Sequence, residues 1–504
     1  MKILAARYVL PISAPPIDDG AVALDGELIV AVGSRESMTA QFTSAPLEDF
    51  GLAAILPGLV NCHSHLEITG MRNQFDDVEH DFRSWLLKLN GLRAGLSDED
   101  IIADAVAGAV EGARAGVTCF GDIGRMGHAG VAALKQVGLR GVVFQETEFS
   151  PDNSTADPAF LALATKYEKL REEETDLVKI GISPHSPYTV GSRLFELIAQ
   201  YAILNRVPLS IHAAESADET ELLMHGTGLF RDLYERFDLE WHSPHCTPIE
   251  YLERLGVLST KPLLAHCIAV SASDIQKIES YGAKIAHCPK SNAKFGHGYA
   301  PFEAFLDANI TVGLGSDSVA SNNICDLLEE SRFALLAARN REGSKRFIAP
   351  KEALETATLG GAKALGLDHL IGTLDVGKQA DIAVISLDHP AIQPVGDIHA
   401  ASFTRRVGET SVLRSLPATK SLGMTSGLPA PHTPASPRPS ATYQTSQRYA
   451  AIARCGARVG RSGRGHGLRW GSGPLRAGLC GILEHGKALR RRLLAAYDSR
   501  LRRG

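Results

Sequence analysis

The chain has 504 residues, 44% hydrophobic and 22% charged, enough for a large core and more than one domain. A formal net charge of −5 gives no whole-chain basic field to draw in nucleic acid, and no uninterrupted apolar run is long enough to cross a bilayer. Eight cysteines without CxxC spacing argue against a disulfide framework or a Cys-type zinc finger, and with an N-terminus that lacks a long apolar leader they point to the cytoplasm.

Residues 1–52 read as short strands. Val22-Ala23-Leu24 and the run Glu27 to Val32 flank Asp25-Gly26, which is the form of a hairpin. So small a piece needs a partner sheet elsewhere in the chain. From residue 53 the pattern becomes strand and helix in alternation. Ala53 to Val60 is the first apolar run. Ser97-Asp98-Glu99-Asp100 opens a helix in the manner of a capping box, and Gly116 suits its end. Further strands are predicted at Val117 to Gly121, Leu139 to Phe144, Val178 to Ile182, Val207 to Ile211, Pro262 to Ala265, Ala283 to Ala286 and Ile310 to Leu314. About eight strands alternating with helices predict a parallel sheet closed as a (β/α)8 TIM-like barrel over residues 53–365, with catalytic groups at the strands' C-terminal ends. A helix is expected from Lys351 to Leu365. The segment 366–412 contains a turn-rich pair of short strands within Ile371 to Ile385, expected to join residues 1–52 in a small β-sandwich.

Histidines and acids recur just beyond the predicted strands. His63 and His65 stand two residues apart, so on a strand they face one way. His212, His266 and Asp317 each follow a later strand. In a barrel these ends form one ring, and the five side chains can converge. Three imidazoles and a carboxylate suit one divalent metal ion, Zn²⁺ first, with Fe²⁺ or Mn²⁺ as alternatives. Glu215, three residues after His212, would then stand near the metal, free to move protons; it also reads as a first-turn helix acid. His185 lies beyond another strand and reads as a substrate-binding or orienting group, with a structural hydrogen bond as the alternative. Lys290 and Asn292 read first as loop residues.

The motifs Pro57-Gly58-Leu59-Val60-Asn61-Cys62-His63-Ser64-His65, Pro184-His185-Ser186-Pro187-Tyr188-Thr189, His212-Ala213-Ala214-Glu215, His266-Cys267, Cys288-Pro289-Lys290-Ser291-Asn292 and Gly313-Leu314-Gly315-Ser316-Asp317 resemble, in order and spacing, those of the amidohydrolase superfamily. The similarity is to the branch of chlorohydrolases and methylthioadenosine/S-adenosylhomocysteine deaminases. It implies a single metal held by His63, His65, His212 and Asp317. It also implies that Glu215 shuttles protons, His266 polarises the hydrolytic water, Asp317 helps activate it, and His185 contacts substrate. The implied reaction is hydrolytic removal of an amino group from an aromatic ring as ammonia, on a substrate of adenine-nucleoside type. A chlorohydrolase or cyclic amidase with the same site is the alternative, and a non-catalytic metal-binding scaffold is a third reading. The partner is a small molecule; a homo-oligomer is a family expectation.

Two places depart from the family. Nucleoside-type deaminases carry a ribose-binding glutamate before the tryptophan of a segment resembling Phe82-Arg83-Ser84-Trp85-Leu86; here Ser84 stands there, and Trp85 is a candidate substrate contact. Glu67, in His65-Leu66-Glu67, is similar to the aminodeoxyfutalosine deaminases, and supplies either a compensating substrate contact or a structural carboxylate. After Val412 the family would close its small domain with a Val-rich hairpin. Residues 413–504 are instead rich in Pro, Ser, Gly and Arg. They read as a basic arm for an acidic partner or, preferred here, as a disordered or non-native extension. Codons for Leu413 to Ser426 can be chosen so that a one-base shift reads Glu-Val-Phe-Ala-Gly-Asn-Glu-Val-Phe-Gly-Asp-Asp-Val, the missing strand–turn–strand pattern. A frameshift near Leu413 is therefore expected.

Overall fold

A computed structural model of the chain describes residues 1–341, 343, 346–403 and the backbone of 410–414. The chain opens with strands β1 (Lys2–Val9), β2 (Ile17–Asp25), β3 (Leu28–Ser34), β4 (Leu47–Asp49) and β5 (Ala53–Pro57). The expected hairpin is present, with Val22 opposite Val32 in antiparallel register. The apolar run at 53–60, predicted as one strand, is two strands in two sheets: β5 stops at Pro57 and β6 (Leu59–Ser64) starts past Gly58. The Gly58 N–H donates to the Asp381 carbonyl at 2.8 Å. A Cβ on Gly58 would lie 2.1 Å from Thr118 Oγ1, so any side chain there would displace Thr118. The chain thus changes sheets at Gly58, and β5 belongs with residues 1–52.

Four parallel strands follow in order, β6, β7 (Val117–Gly124), β8 (Arg140–Glu146) and β9 (Val178–Ser183), then four more, β10 (Ser210–Ala213), β11 (Leu263–His266), β12 (Lys284–His287) and β13 (Val312–Leu314). β7 and β8 are buried along their whole length, as parallel strands covered on both faces must be. Isolated parallel bridges, Ile182 with Leu209 and Ser64 with Asp317, link the two sheets at both seams. Ser97 caps the Asp98–Arg114 helix with the predicted capping box: its Oγ accepts from Asp100 N at 3.1 Å, and its own N–H donates to Asp100 Oδ2 at 3.0 Å. The helix predicted from 351 to 365 forms, but its middle, Thr356–Gly360, is wound as a π turn.

The chain then returns to its first sheet. β14 (Asp381–Ser386) lies antiparallel to β5, and β15 (Thr410–Arg414) to β14. The strands hydrogen-bond as one seven-stranded sheet, in which residues 1–57 and 381–414 join as expected. Strand alternation gives each face its own apolar set. Leu4, Val22, Ile55 and Ile382 pack together on one side, and Ile3, Ala5, Ala21 and Met38 on the other. Of the strand pair expected within 371–385 only β14 forms; residues 371–380 turn back so that Gly377 N–H donates to Ile29 O at 2.8 Å. A buried ion pair, Arg140 Nε to Asp381 Oδ2 at 3.0 Å, ties β8 to β14. Among the described residues no helix is long and apolar enough to cross a membrane. The expectations for the tail from 415 to 504 lie outside the described residues.

Candidate active site

The predicted metal ligands meet where β6, β10 and β13 end. His63 is the fifth residue of β6, and its carbonyl accepts from Asp317 N at 2.9 Å, which fixes the two ligand-bearing segments together. His65 Nδ1 donates to Ile123 O at 3.0 Å, and His212 Nδ1 to His185 O at 3.0 Å. A carbonyl only accepts, so both rings carry their proton on Nδ1 and a lone pair on Nε2. Those two Nε2 atoms are 3.2 Å apart. Facing lone pairs repel; a cation between them makes the same geometry favourable.

The rest of the donor set agrees. His63 Nε2 and His65 Nε2 lie 3.5 Å and 3.4 Å from Asp317 Oδ1. Both nitrogens of His63 are buried without a hydrogen-bond partner among the described residues. Burial pushes the His63 imidazole down to about 4 and that of His65 to about 3, so both are neutral, the form a metal ligand needs. Asp317 Oδ2 accepts from Ser291 Oγ at 2.5 Å and Ser321 Oγ at 2.9 Å, which turns Oδ1 toward the imidazoles. Ligand atoms of His63, His65 and His212, and of His63, His266 and Asp317, fall within 4.8 Å of one another. Neutral imidazoles and one carboxylate fit a divalent cation.

Glu215 and His266 stand beside this set. Glu215 Oε2 accepts from the Tyr188 hydroxyl at 3.0 Å, while Oε1 is 3.7 Å from His266 Nε2. His266 Nδ1 lies 2.9 Å from Asn292 Oδ1, which assigns the proton to Nδ1 and leaves Nε2 as an acceptor. Asn292 therefore orients His266, where the sequence favoured a loop role. Lys290, also read as a loop residue, lies instead on the Pro289–Lys294 helix, with Nζ 3.2 Å from Glu329. The backbone at these strand ends is left-handed at four non-glycine residues: Ala214 (φ +52°), His266 (+71°), Cys267 (+47°) and Asp317 (+57°). Such conformations persist only where surrounding contacts hold them. For Ala214 the holder is Glu219, which the sequence reading missed. Its carboxylate accepts from Ala214 N at 3.1 Å and Glu215 N at 2.8 Å. Ser216-x-x-Glu219 has the spacing of a capping box. Ser216 does cap the Ala217–His225 helix, but the acid reaches past it to the residues that carry Glu215.

The substrate-contact candidates separate. The His185 ring centroid is 4.6 Å from that of His212, and its Nε2 is 3.8 Å from Glu146 Oε1. Its Nδ1 is 2.9 Å from both Ser186 Oγ and Thr189 Oγ1. Glu67 is buried and paired with Arg93, and it accepts from Met126 N at 2.8 Å and Arg125 N at 3.2 Å. Those contacts fasten the Phe82–Arg93 helix to the end of β7 and support the structural reading of Glu67. Trp85 lies on that helix, buried against Phe75 and Phe295. Ser84 Oγ donates to Asp81, the residue that caps the helix.

The amidohydrolase family matches residues 54–413. The chain is 31% identical over 394 residues to a 5-methylthioadenosine/S-adenosylhomocysteine deaminase of Moorella thermoacetica, a match covering 78% of this chain and 87% of the relative. It is 32% identical over 342 residues to a 5′-deoxyadenosine deaminase of Methanobrevibacter smithii, covering 68% and 74% respectively. A solved structure of an adenosine deaminase from Xanthomonas campestris with bound zinc superimposes with a TM-score of 0.73 at 28% identity, covering 82% of this chain and 91% of that one. The matched length contains every candidate site residue described above, and the chain belongs to the amidohydrolase family.

Proposed function

We propose that the protein is a zinc-dependent hydrolytic deaminase acting on an aminopurine nucleoside-like substrate of the S-adenosylhomocysteine, methylthioadenosine or aminodeoxyfutalosine type. The observation that carries this is the pair of Nε2 atoms of His65 and His212, 3.2 Å apart, with Glu215 and His266 beside them. The seam bridges support reading the eight parallel strands as one closed (β/α)8 barrel, with the site at its C-terminal end. A divalent cation held by His63, His65, His212 and Asp317 would supply the Lewis acidity that lowers the pKa of water.

The chain's own residues then move the protons. His266, anchored through Nδ1 on Asn292, offers Nε2 as acceptor for a proton of the attacking water; Asp317 Oδ1 is a second acceptor. Glu215 is held through Oε2 by Tyr188; ionised, its Oε1 takes a proton from the attacking water and hands it to the ring nitrogen beside the carbon under attack. That carbon becomes more electrophilic as the water oxygen bonds to it, and the water's second proton, passed through His266, goes to the amino group, which leaves as ammonia. His185 is positioned as a substrate contact beside His212. The relatives' adenosine-type substrates support the same ring chemistry here. The six cysteines among the described residues are buried and none is in a disulfide, which supports a reducing, cytoplasmic setting.

The test is zinc-loaded protein against adenosine, S-adenosylhomocysteine, methylthioadenosine and aminodeoxyfutalosine, read by ultraviolet shift and ammonia release. Deamination of at least one is expected. A flat response across the panel overturns the reading, and chloride release from a chlorinated ring in its place identifies a chlorohydrolase.

A further inference from the structure

His65 is held twice by the end of one strand, β7. Its ring is fixed by Ile123, whose carbonyl accepts from Nδ1 at 3.0 Å. Its backbone is fixed by the residue before Ile123. Asp122 Oδ1 accepts from Leu66 N at 2.8 Å and from Ser64 Oγ at 3.1 Å, the two residues that flank His65. Ser64 is also the residue that bridges to Asp317 across the seam. The β6–β7 ladder does not hold this stretch by itself, because its register breaks between Asn61 and Ser64. Leu66 opens the short helix Leu66–Met71, and His65 before it makes no side-chain cap. The Leu66 N–H is thus a helix-end donor that needs a partner from elsewhere. Asp122 supplies that partner from the neighbouring strand.

The carboxylate is itself confined. Asp122 is 1% exposed. Against it lies the Gly127–Val137 helix, where a Cβ on Gly130 would come 2.3 Å from Asp122 Oδ2. Glycine is what lets the helix approach so closely, and a confined carboxylate transmits its position to whatever it holds. Asp122 stands at one remove from the metal: the ligand atoms gathered at the site belong to His63, His65, His212, His266 and Asp317. It takes no part in the proton transfers described above. Partners that orient ligands from outside set metal affinity by about 10- to 100-fold.

We propose that Asp122 is a positioning residue for the metal site: by pinning Ser64 and Leu66 it sets where His65 Nε2 points, and with it the affinity for zinc. The assignment rests on the metal-dependent reading above. The test is the zinc affinity of the folded protein, taken by competition with a chromogenic chelator. The visible absorption band of cobalt-loaded protein, which reports ligand geometry, is measured beside it. Asp122→Ala removes both acceptor bonds; it is expected to weaken zinc binding about 10- to 100-fold and to shift the cobalt band. Asp122→Asn keeps an acceptor oxygen and is expected to recover most of that loss. Gly130→Ala drives a methyl group against Oδ2 and leaves the carboxylate's chemistry intact. It is expected to weaken zinc binding in the same direction, even though alanine favours the helix. A merely structural Asp122 would lower the Tm of metal-free protein and leave affinity and band unmoved. Wild-type affinity in Asp122→Ala (or in Gly130→Ala, should the first variant not fold) overturns the proposal, as does an asparagine variant no better than alanine. If the wild-type protein binds no zinc, the metal reading fails on its own account. Crystal structures of metal-free wild type and Asp122→Ala then decide for Asp122: a His65 ring moved away from His212 upholds its role, and an unmoved ring overturns it.

Discussion

His65 and His212 turn their Nε2 atoms toward each other across 3.2 Å, each ring fixed from behind by a backbone carbonyl. The carbonyls of Ile123 and His185 leave neither ring free to rotate its proton into the gap. A cation in the gap would relieve the repulsion, so a bound metal would contribute to stability as well as to chemistry. Zinc at about 100 times its dissociation constant is expected to raise unfolding free energy by about 2.7 kcal/mol. Chelation should lower Tm by several degrees, and restored zinc should recover it; a Tm indifferent to zinc would contradict the site.

The metal-free protein carries a matching pH dependence. His63 and His65 titrate at about 4 and about 3 in the folded chain, from an ordinary value of 6.5. Below 6.5 the unfolded chain takes up protons that the folded chain refuses, so this part of the stability is present above pH 6.5 and is lost as pH falls toward 4 and 3. Denaturant midpoints of metal-free protein should therefore fall between pH 6.5 and pH 4. A double His63→Gln, His65→Gln variant should lose part of that slope, the remainder staying with His185, His287 and His297, which burial also holds low.

Tyr188 donates to Glu215 Oε2 at 3.0 Å, a bond that favours the ionised carboxylate. Tyr188→Phe removes the donor and keeps the ring stacked on Phe230. The carboxyl pKa should rise by roughly half a unit to one unit, the worth of one hydrogen bond. The acidic limb of the kcat/KM profile should move up with it. A variant that loses rate uniformly at every pH would show that Tyr188 serves packing alone.

Much of the site was legible because strand ends leave a regular trace: an apolar run, then a histidine or an acid. His63, His65, His212, His266 and Asp317 all carry that mark. What escaped the sequence depends on backbone geometry. Gly58 sits inside an unbroken apolar run, and only the approach of Thr118 makes it the crossing between sheets. Asn292 lies 26 residues beyond His266, on the short Pro289–Lys294 helix, and nothing in that segment announces the pairing. Glu219 looks like a capping-box acid, because a left-handed Ala214 has no sequence signature.

Glu219 offers a test of the strained turn. Glutamine keeps one acceptor oxygen but turns an amide NH₂ toward the other backbone N–H. Glu219→Gln should cost about 1–3 kcal/mol of stability and lower kcat by about 10- to 100-fold, with KM little changed, since Glu215 is displaced and the metal ligands are not. Ala214→Gly in that background should recover part of the rate, because glycine adopts φ +52° without strain. Failure of the second substitution to restore any rate would show that Glu219 acts by some route other than the Ala214 turn.

The two readings of Glu67 part cleanly under mutation of its partner. Glu67 is 2% exposed, and Arg93 is its only cationic side-chain neighbour within ion-pair distance among the described residues. Arg93→Ala leaves that carboxylate buried with two backbone N–H donors, a change expected to cost about 3–5 kcal/mol. Arg93→Ala with Glu67→Leu should cost less than Arg93→Ala alone, because no unpaired charge remains. A structural Glu67 predicts that these losses appear in Tm, with KM shifting only as the Phe82–Arg93 helix loosens. A substrate-binding Glu67 predicts the reverse, a rise in KM for Glu67→Gln with Tm unchanged. Thermal unfolding and kinetics on the same three variants discriminate the two, and the bonds from Met126 and Arg125 at 2.8 Å and 3.2 Å favour the first outcome.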